Sequence, residues 1–418
     1  PDMFMLENGD SMPFIQAKTS GLSTGVPGVL AMLSMAHKEQ GTLEWASLFN
    51  YASKLANEGF EISPRLHGML ERFGKYIPST PDQGPTDAHE YFFDDAGQPY
   101  PVGYTLKNPD YAKTLDIIAK DPAEFYHGDI AKKIAAMVQQ QPRAGSLTAE
   151  DIAAYQPVKR AALCQPYRDT QVCGAPPPSS WLAVGMIMGI LENGPRPSAA
   201  GPDDPKNWAL LAQAQQLAYA DRDQFIDATQ DVHGTTHFVI VDTKGDVVSM
   251  TATVESIFGT TRMVGGMFLN NQLTDFSFQH HDKNGNAIVN AVAPNKRPRS
   301  SMSPSIVLDE DGNFLMATGS PGGNNIIAYT VKTLVGVFEW GLDPQAAVDL
   351  PNMVARGKTV RLEKDAASDS LISAMKEMGF DVDASKGENS GLSVIMRKPD
   401  GSLEGAADKR REGIIGTL

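Results

Sequence analysis

Through most of the first half of the chain, apolar positions recur at helical spacing; beyond residue 235 they alternate as in strands. In GVPGVLAMLSMAHKEQG (25–41), Pro27 stands near a helix start and Gly41 where a helix would stop. A second amphipathic segment, LEWASLFNYASKLANEGF (43–60), carries its own glycine stop. TAEDIAAY opens with Thr148 three residues before Asp151, a capping-box-like start. PPPSS (176–180) breaks the chain before an apolar helix predicted over 182–192, and 207–227 predicts a long helix with polar residues at its end.

The second half predicts strands over 236–242, 247–254, 266–270, 305–309 and 314–318, where Val, Ile, Thr and Phe are enriched between turn residues. Lys244-Gly245-Asp246 supplies a hairpin tip, and Glu310-Asp311-Gly312-Asn313 another. The glycine-rich turn of GSPGGNNIIAYTVKTLVGVFEWG (319–341) leads into a helix apolar on most faces, so it should be buried. Strands followed by helices that pack on them imply a layered α+β arrangement. No internal repeat is visible, and the best composition boundary falls between about 227 and 235.

A length of 418 residues allows two to three domains, and 41% apolar with 21% charged residues is ordinary globular composition. The net charge of −14 argues against nucleic acid or an anionic membrane as the main partner, because both need a basic face. No apolar run is long enough to cross a bilayer, and no signal-peptide pattern opens the chain. Because the chain starts at Pro1, an upstream segment is expected to have been removed or left out, so the absent signal says little about compartment. Cys164 and Cys173 flank a Pro-Tyr-Arg-Asp turn that could bring them face to face. Spacing alone leaves both a disulfide and two buried thiols open. The eight histidines are scattered without an HExxH or paired-cysteine motif, and His280-His281 falls in a polar loop; no metal site is expected.

The hairpin that begins at Thr235 does not need a Gly-Thr-Thr corner at its base. A threonine becomes a strong nucleophile when its own α-amine is free to take the hydroxyl proton. That amine titrates near pH 8, as a general base at working pH should. Cleavage of the Gly234–Thr235 bond would create it, and Gly234, lacking a Cβ, permits close approach of the attacking hydroxyl. Alone, the triplet also reads as an ordinary turn.

Its company is more specific. TTHFVIVDTKGDVVSMTATVESIFGT, FLNNQLTDFSF, APNKRPRSSMSPSIVL and TGSPGG, with PDMFM, GVPGVLAML, LANEGFEISPRL, FYHGDIAKKI, LTAEDIAAY and PPPSS before them, occur in order. In these motifs nearly the whole chain resembles the gamma-glutamyltranspeptidase family of N-terminal nucleophile hydrolases. The resemblance implies a four-layer αββα sandwich with a helix-rich large-subunit region at 1–234 and a catalytic small-subunit region at 235–418. Thr235 then matches the nucleophile freed by self-cleavage, and Thr253 the threonine that hydrogen-bonds it and assists processing. Gly322 and Gly323 match the pair whose N–H groups form the oxyanion hole, an arrangement suited to a helix start.

Gln272 and Asp275 match residues that hold the substrate α-amino group, and Ser300 and Ser301 the pair that hydrogen-bonds its α-carboxylate. Two positions depart. Glu255 stands where the family has asparagine, and Pro1 where it has the arginine of a carboxylate clamp. An extra carboxylate favours an ammonium group or repels a nearby carboxylate; Arg262 and Arg299 are close in sequence, but neither matches the motif. The segments before PDMFM and before Thr235 are short or missing, and the loop from 276 to 299 is shorter than the lid of some members, which favours hydrolysis over transfer.

The expectation is an exported, periplasmic or secreted, two-subunit enzyme made from one precursor. It would cleave gamma-glutamyl amides such as glutathione-like compounds and pass the acyl group to water or to an amino acid or peptide amine, with no cofactor. The alternatives are the same machinery acting on another acyl amide, and an unprocessed, non-catalytic protein that binds amino-acid-like ligands.

Overall fold

The cysteine pair is the simplest place to see register decide structure. The computed structural model describes residues 2–225 and 234–417. Leu163–Tyr167 and Thr170–Gly174 form an antiparallel hairpin that puts Cys164 directly opposite Cys173, and the two are joined in a disulfide. Of the two readings left open by spacing, the bonded one holds.

That hairpin is the edge of a six-stranded sheet, wholly antiparallel, whose order continues through Ser305–Leu308, Phe314–Gly319, Ser393–Arg397 and Leu403–Ala407. Side chains alternate between its faces. On one face Tyr167, Val172, Val307, Met316, Val394 and Ala406 meet the helices Trp181–Asn193, Pro205–Phe225 and Ile326–Phe338 in the main core. The predicted burial of the last helix is borne out: its residues from Ile326 to Val337 are all buried. Trp181 closes on Gly174, where a Cβ would lie 2.1 Å from the indole, and its Nε1 donates to Ser305 Oγ at 3.0 Å.

On the other face lies the two-stranded hairpin Thr235–Val241 and Val247–Thr253, packed on Phe314–Gly319 and Ser393–Arg397. Its tip forms as expected. The Asp242 carboxylate accepts from the N–H groups of Lys244 and Asp246 at 2.8 and 2.9 Å, and Gly245 takes φ 89°, which a residue without a Cβ adopts at low cost. The composition boundary read near 227–235 lies, apart from Gly234 and Thr235, largely outside the described residues, as does Pro1.

These elements belong to one compact unit, made of Arg160–Ala252, His281–Asn290 and Asn295–Leu418; a second comprises Pro1–Lys159, Thr253–His280 and Ala291–Pro294. Helices dominate the second unit. The Thr148–Asp151 capping box forms in full ahead of Ala149–Ala153. The helix expected over 43–60 is split into a 3-10 segment, Trp45–Phe49, and a helix, Asn50–Glu58. Trp45 Nε1 donates to Ile118 O at 2.9 Å, a tertiary bond that outweighs local propensity. The strand expected over 266–270 shrinks to Met267–Phe268, which pairs with Met263–Val264 around Gly265 and Gly266. Those glycines have φ 55° and 74°, and a Cβ on Gly266 would sit 2.2 Å from Asn108 Oδ1.

Candidate active site

Thr235 opens its strand and is 9% exposed. Arg411 Nη1 donates to its carbonyl at 3.0 Å, and Arg411 Nε is itself anchored on Asn389 O and Oδ1. Two residues on, His237 turns into the sheet: its Nδ1 meets Thr251 Oγ1 at 2.8 Å and its ring lies against Gly319. Burial pushes the imidazole down to about 3, so it is neutral. Gly319 ends the strand Phe314–Gly319, and the chain continues through Ser320 and Pro321 to Gly322-Gly323. Thr235 therefore begins about 7 Å along its strand from the residue that touches the approach to this turn.

Gly322 has φ 137° and Gly323 φ 57°, both in the region that favours glycine. A Cβ on Gly322 would lie 2.5 Å from Tyr329 Cε2, so the turn is moulded on that ring. The phenol of Tyr329 donates to Glu388, which accepts from Arg361 Nε at 2.9 Å. Burial, reinforced by Glu388, raises the phenol well above its ordinary range, so it stays a donor. The turn runs directly into Gly323–Asn325 and the helix Ile326–Phe338.

Ser300 and Ser301 lie in an extended segment against PPPSS, which is more than a chain break. Ser180 N–H donates to Ser300 O at 2.6 Å, Ser300 N–H donates to Pro178 O at 2.9 Å, and Ser179 Oγ donates to Met302 O at 2.8 Å. Ser301 Oγ donates to Asn324 Oδ1 at 3.1 Å and accepts from Arg222 Nη2 at 2.9 Å. Arg222 also reaches Asn324 Oδ1 at 3.2 Å and, through Nε, Ser180 Oγ at 3.1 Å. Asp223 bridges Arg222 Nη1 and Arg356 Nε at 3.0 and 2.8 Å. Tyr219 donates to Asn324 O at 2.8 Å, and burial pushes its phenol up to about 12. Sequence reasoning missed Arg222, Asn324 and Tyr329; the only signal was the cluster of polar residues ending the 207–227 helix.

The remaining predicted residues lie in the helical unit. Thr253 Oγ1 accepts from the Glu255 N–H at 2.8 Å. Glu255 has φ 74°, uncommon for a residue with a Cβ, and is 3% exposed. Its carboxylate accepts from Ser256 Oγ at 2.5 Å and from Asn271 Nδ2, which Thr274 also contacts. Lys18 faces this charge: burial lowers its ammonium to about 8, while Glu255 holds it up. Gln272 Nε2 donates to Asp275 Oδ2 at 2.5 Å, so those two form a pair. Of the two nearby arginines, Arg262 has its guanidinium committed elsewhere. Arg262 donates to the carbonyls of Met137, Gln140 and Pro142, and Arg299 N–H donates to Asn290 Oδ1 at 3.0 Å. His280 pairs with Asp2 at 3.0 Å.

An antiparallel sheet covered by helices on one face, with a hairpin headed by a threonine on the other, is an arrangement of the N-terminal nucleophile hydrolases, a class of α+β enzymes. A solved structure, the cephalosporin acylase from Bacillus halodurans, shares the fold with a TM-score of 0.79 at 22% identity, covering 95% of this chain and 78% of that one. The chain matches the description "Gamma-glutamyltranspeptidase" over residues 1–232 and 225–418, and it belongs to that family. The glutathione hydrolase proenzyme of Escherichia coli (strain K12) is 33% identical over 463 residues, covering 98% of this chain and 77% of that protein. The glutathione hydrolase proenzyme of Bacillus subtilis (strain 168) is 30% identical over 476 residues, covering 99% and 78%. The expected fold class, family and enzymatic nature are thereby borne out.

Proposed function

We propose that this chain is a gamma-glutamyl hydrolase and transferase whose nucleophile is Thr235, released by cleavage of the Gly234–Thr235 bond. Residues 1–234 and 235–418 would then be the large and small subunits. The observation that carries the reading is the mounting of Thr235: a nearly buried first strand residue, held by Arg411 and backed by the strand that leads into Gly322-Gly323.

In this mechanism the new α-amine takes the Thr235 hydroxyl proton, and the oxygen attacks the gamma-carbonyl of the donor. The Gly322 and Gly323 N–H groups receive the oxyanion, Thr253 supports the nucleophile, and the leaving amine takes the proton as the C–N bond breaks. Water, or the amine of an amino acid or peptide, then opens the Thr235 ester. Gln272 and Asp275 hold the donor ammonium, and Ser300 and Ser301 its carboxylate. The Cys164–Cys173 disulfide supports an exported, oxidising location such as the periplasm. The named relatives, both glutathione hydrolase proenzymes, support glutathione-like donors and processing.

One observation favours a second reading, the same chemistry on another acyl amide: Glu255 replaces the family asparagine. Intact mass tests the first claim, since the wild type should split before Thr235 and Thr235→Ala should stay whole. A wild-type chain that never splits overturns it. A panel of acyl-anilides tests the donor: gamma-glutamyl should lead in kcat/KM, and a lead by glutaryl or another acyl group selects the second reading.

A further inference from the structure

A guanidinium stands directly behind the Ser300–Ser301 pair. Arg222 comes from the end of the helix Pro205–Phe225 and is 5% exposed. One of its nitrogens, Nη2, serves both Ser301 Oγ at 2.9 Å and Asn324 Oδ1 at 3.2 Å. Its Nε reaches Ser180 Oγ at 3.1 Å, and Ser180 N–H in turn donates to Ser300 O at 2.6 Å. Both serines are thus tied to one side chain, Ser301 through its hydroxyl and Ser300 through its backbone.

The hydrogen-bond directions matter. Ser301 has a single proton, directed at Asn324 Oδ1, and it receives one from Arg222. When that proton turns to an incoming anion, Asn324 Oδ1 keeps the second N–H of Nη2, so no buried acceptor is stranded. A donor that is itself charged also polarises the hydroxyl it feeds and makes it a stronger donor. Charge points the same way: buried Arg222 and partly exposed Arg356 share the single carboxylate Asp223, which leaves the three with one net positive charge. Asn324, the other partner of Nη2, follows Gly322-Gly323 directly, so the same side chain steadies the turn.

We propose that Arg222 is a positioning residue that, acting through Ser301, gives the Ser300–Ser301 pair its preference for a substrate carboxylate. The proposal rests on the reading of that pair as the carboxylate site. Arg222 makes no direct contact with substrate in this scheme; it supplies charge and a fixed hydroxyl at one remove.

Two donors separate the possibilities: gamma-glutamyl-4-nitroanilide and 4-aminobutyryl-4-nitroanilide, which keeps the ammonium and lacks the α-carboxylate. Arg222→Met is expected to raise KM for the first about tenfold, equivalent to about 1.4 kcal/mol, and to change KM for the second less than about twofold. Arg222→Lys, which keeps the charge but loses the fork, should fall between. In a Ser301→Ala background, Arg222→Met should add less than about twofold. Rates are taken per processed enzyme, measured by intact mass; should Arg222→Met fail to fold, Arg222→Lys carries the same comparison. Parallel losses on both donors, or full additivity with Ser301→Ala, would overturn the proposal. The underlying reading is judged separately on the wild type: equal kcat/KM for the two donors removes the carboxylate site itself.

Discussion

The imidazole of His237 fills the space beside Gly319, where a Cβ would sit 2.4 Å from its Cε1 atom. This contact sets how close the Thr235 strand lies to the sheet. Gly319→Ala must push the two apart, an overpacking expected to cost about 1–3 kcal/mol. Denaturant unfolding should show the loss. Activity should fall further than stability predicts, because the displaced strand carries Thr235.

The same histidine predicts a pH dependence of stability. Its folded value of about 3 lies far below the 6.5 of a free imidazole, and its Nε2 has no hydrogen-bond partner among the described residues. Between those values the unfolded chain binds a proton that the folded one does not, so stability is lost as pH falls from about 6.5 toward 3. The slope is on the order of 1 kcal/mol per pH unit. Unfolding of His237→Gln measured from pH 4 to 6 should show a correspondingly shallower slope than wild type.

Glu255 and Lys18 should reveal themselves by an opposite substitution. Removing the carboxylate charge in Glu255→Gln leaves buried Lys18 without the group that raises its ammonium toward the ordinary range. Without that carboxylate the ammonium must titrate below its wild-type value of about 8, and at pH values below that lowered point the folded protein carries an uncompensated charge. The variant should therefore be destabilised by on the order of 1–3 kcal/mol at pH 6 and by less at pH 9, where Lys18 is already largely neutral. Equal destabilisation at both values would show that hydrogen bonding to Ser256 and Asn271, not charge, is what matters.

The Gly322 turn offers a kinetic test. A Cβ there would meet the Tyr329 ring at 2.5 Å, and the backbone has φ 137°. Gly322→Ala should lower kcat by roughly 100-fold or more through a misaligned N–H, with a smaller change in KM. Tyr329→Phe keeps the ring that moulds the turn and loses only the hydroxyl's bonds to Glu388, Asn325 and the Asn389 N–H, so its kcat should stay far closer to wild type.

The disulfide closes a sequence separation of 9 residues. Loop-closure entropy for so short a loop predicts about 2–3 kcal/mol of stabilisation. Alkylation without reductant should label no cysteine, and the Cys164→Ser, Cys173→Ser double variant should unfold at correspondingly lower denaturant. Free thiols in the native protein would contradict the bonded pair.

Helix ends, turn tips and motif order were all legible in the sequence, because each depends on neighbours a few residues apart. The Thr148–Asp151 box, the Asp242–Asp246 tip, the buried helix after Gly323 and the Gly-Thr-Thr corner are of this kind. Family membership was legible for the same reason, since motifs in sequence order need no coordinates. Tertiary structure alone decided the rest. Spacing made a disulfide at Cys164 and Cys173 possible; strand register made it a bond. The family resemblance marked Glu255 as an extra carboxylate, but only packing set it against Lys18, far away in sequence. Nearness in sequence pointed to Arg262 and Arg299 as partners for the serine pair, whereas the guanidinium that reaches Ser301 comes from 79 residues earlier, on another element. Hydrogen bonds and buried charge depend on distance in space, and a chain folded around a sheet makes that distance independent of distance along it.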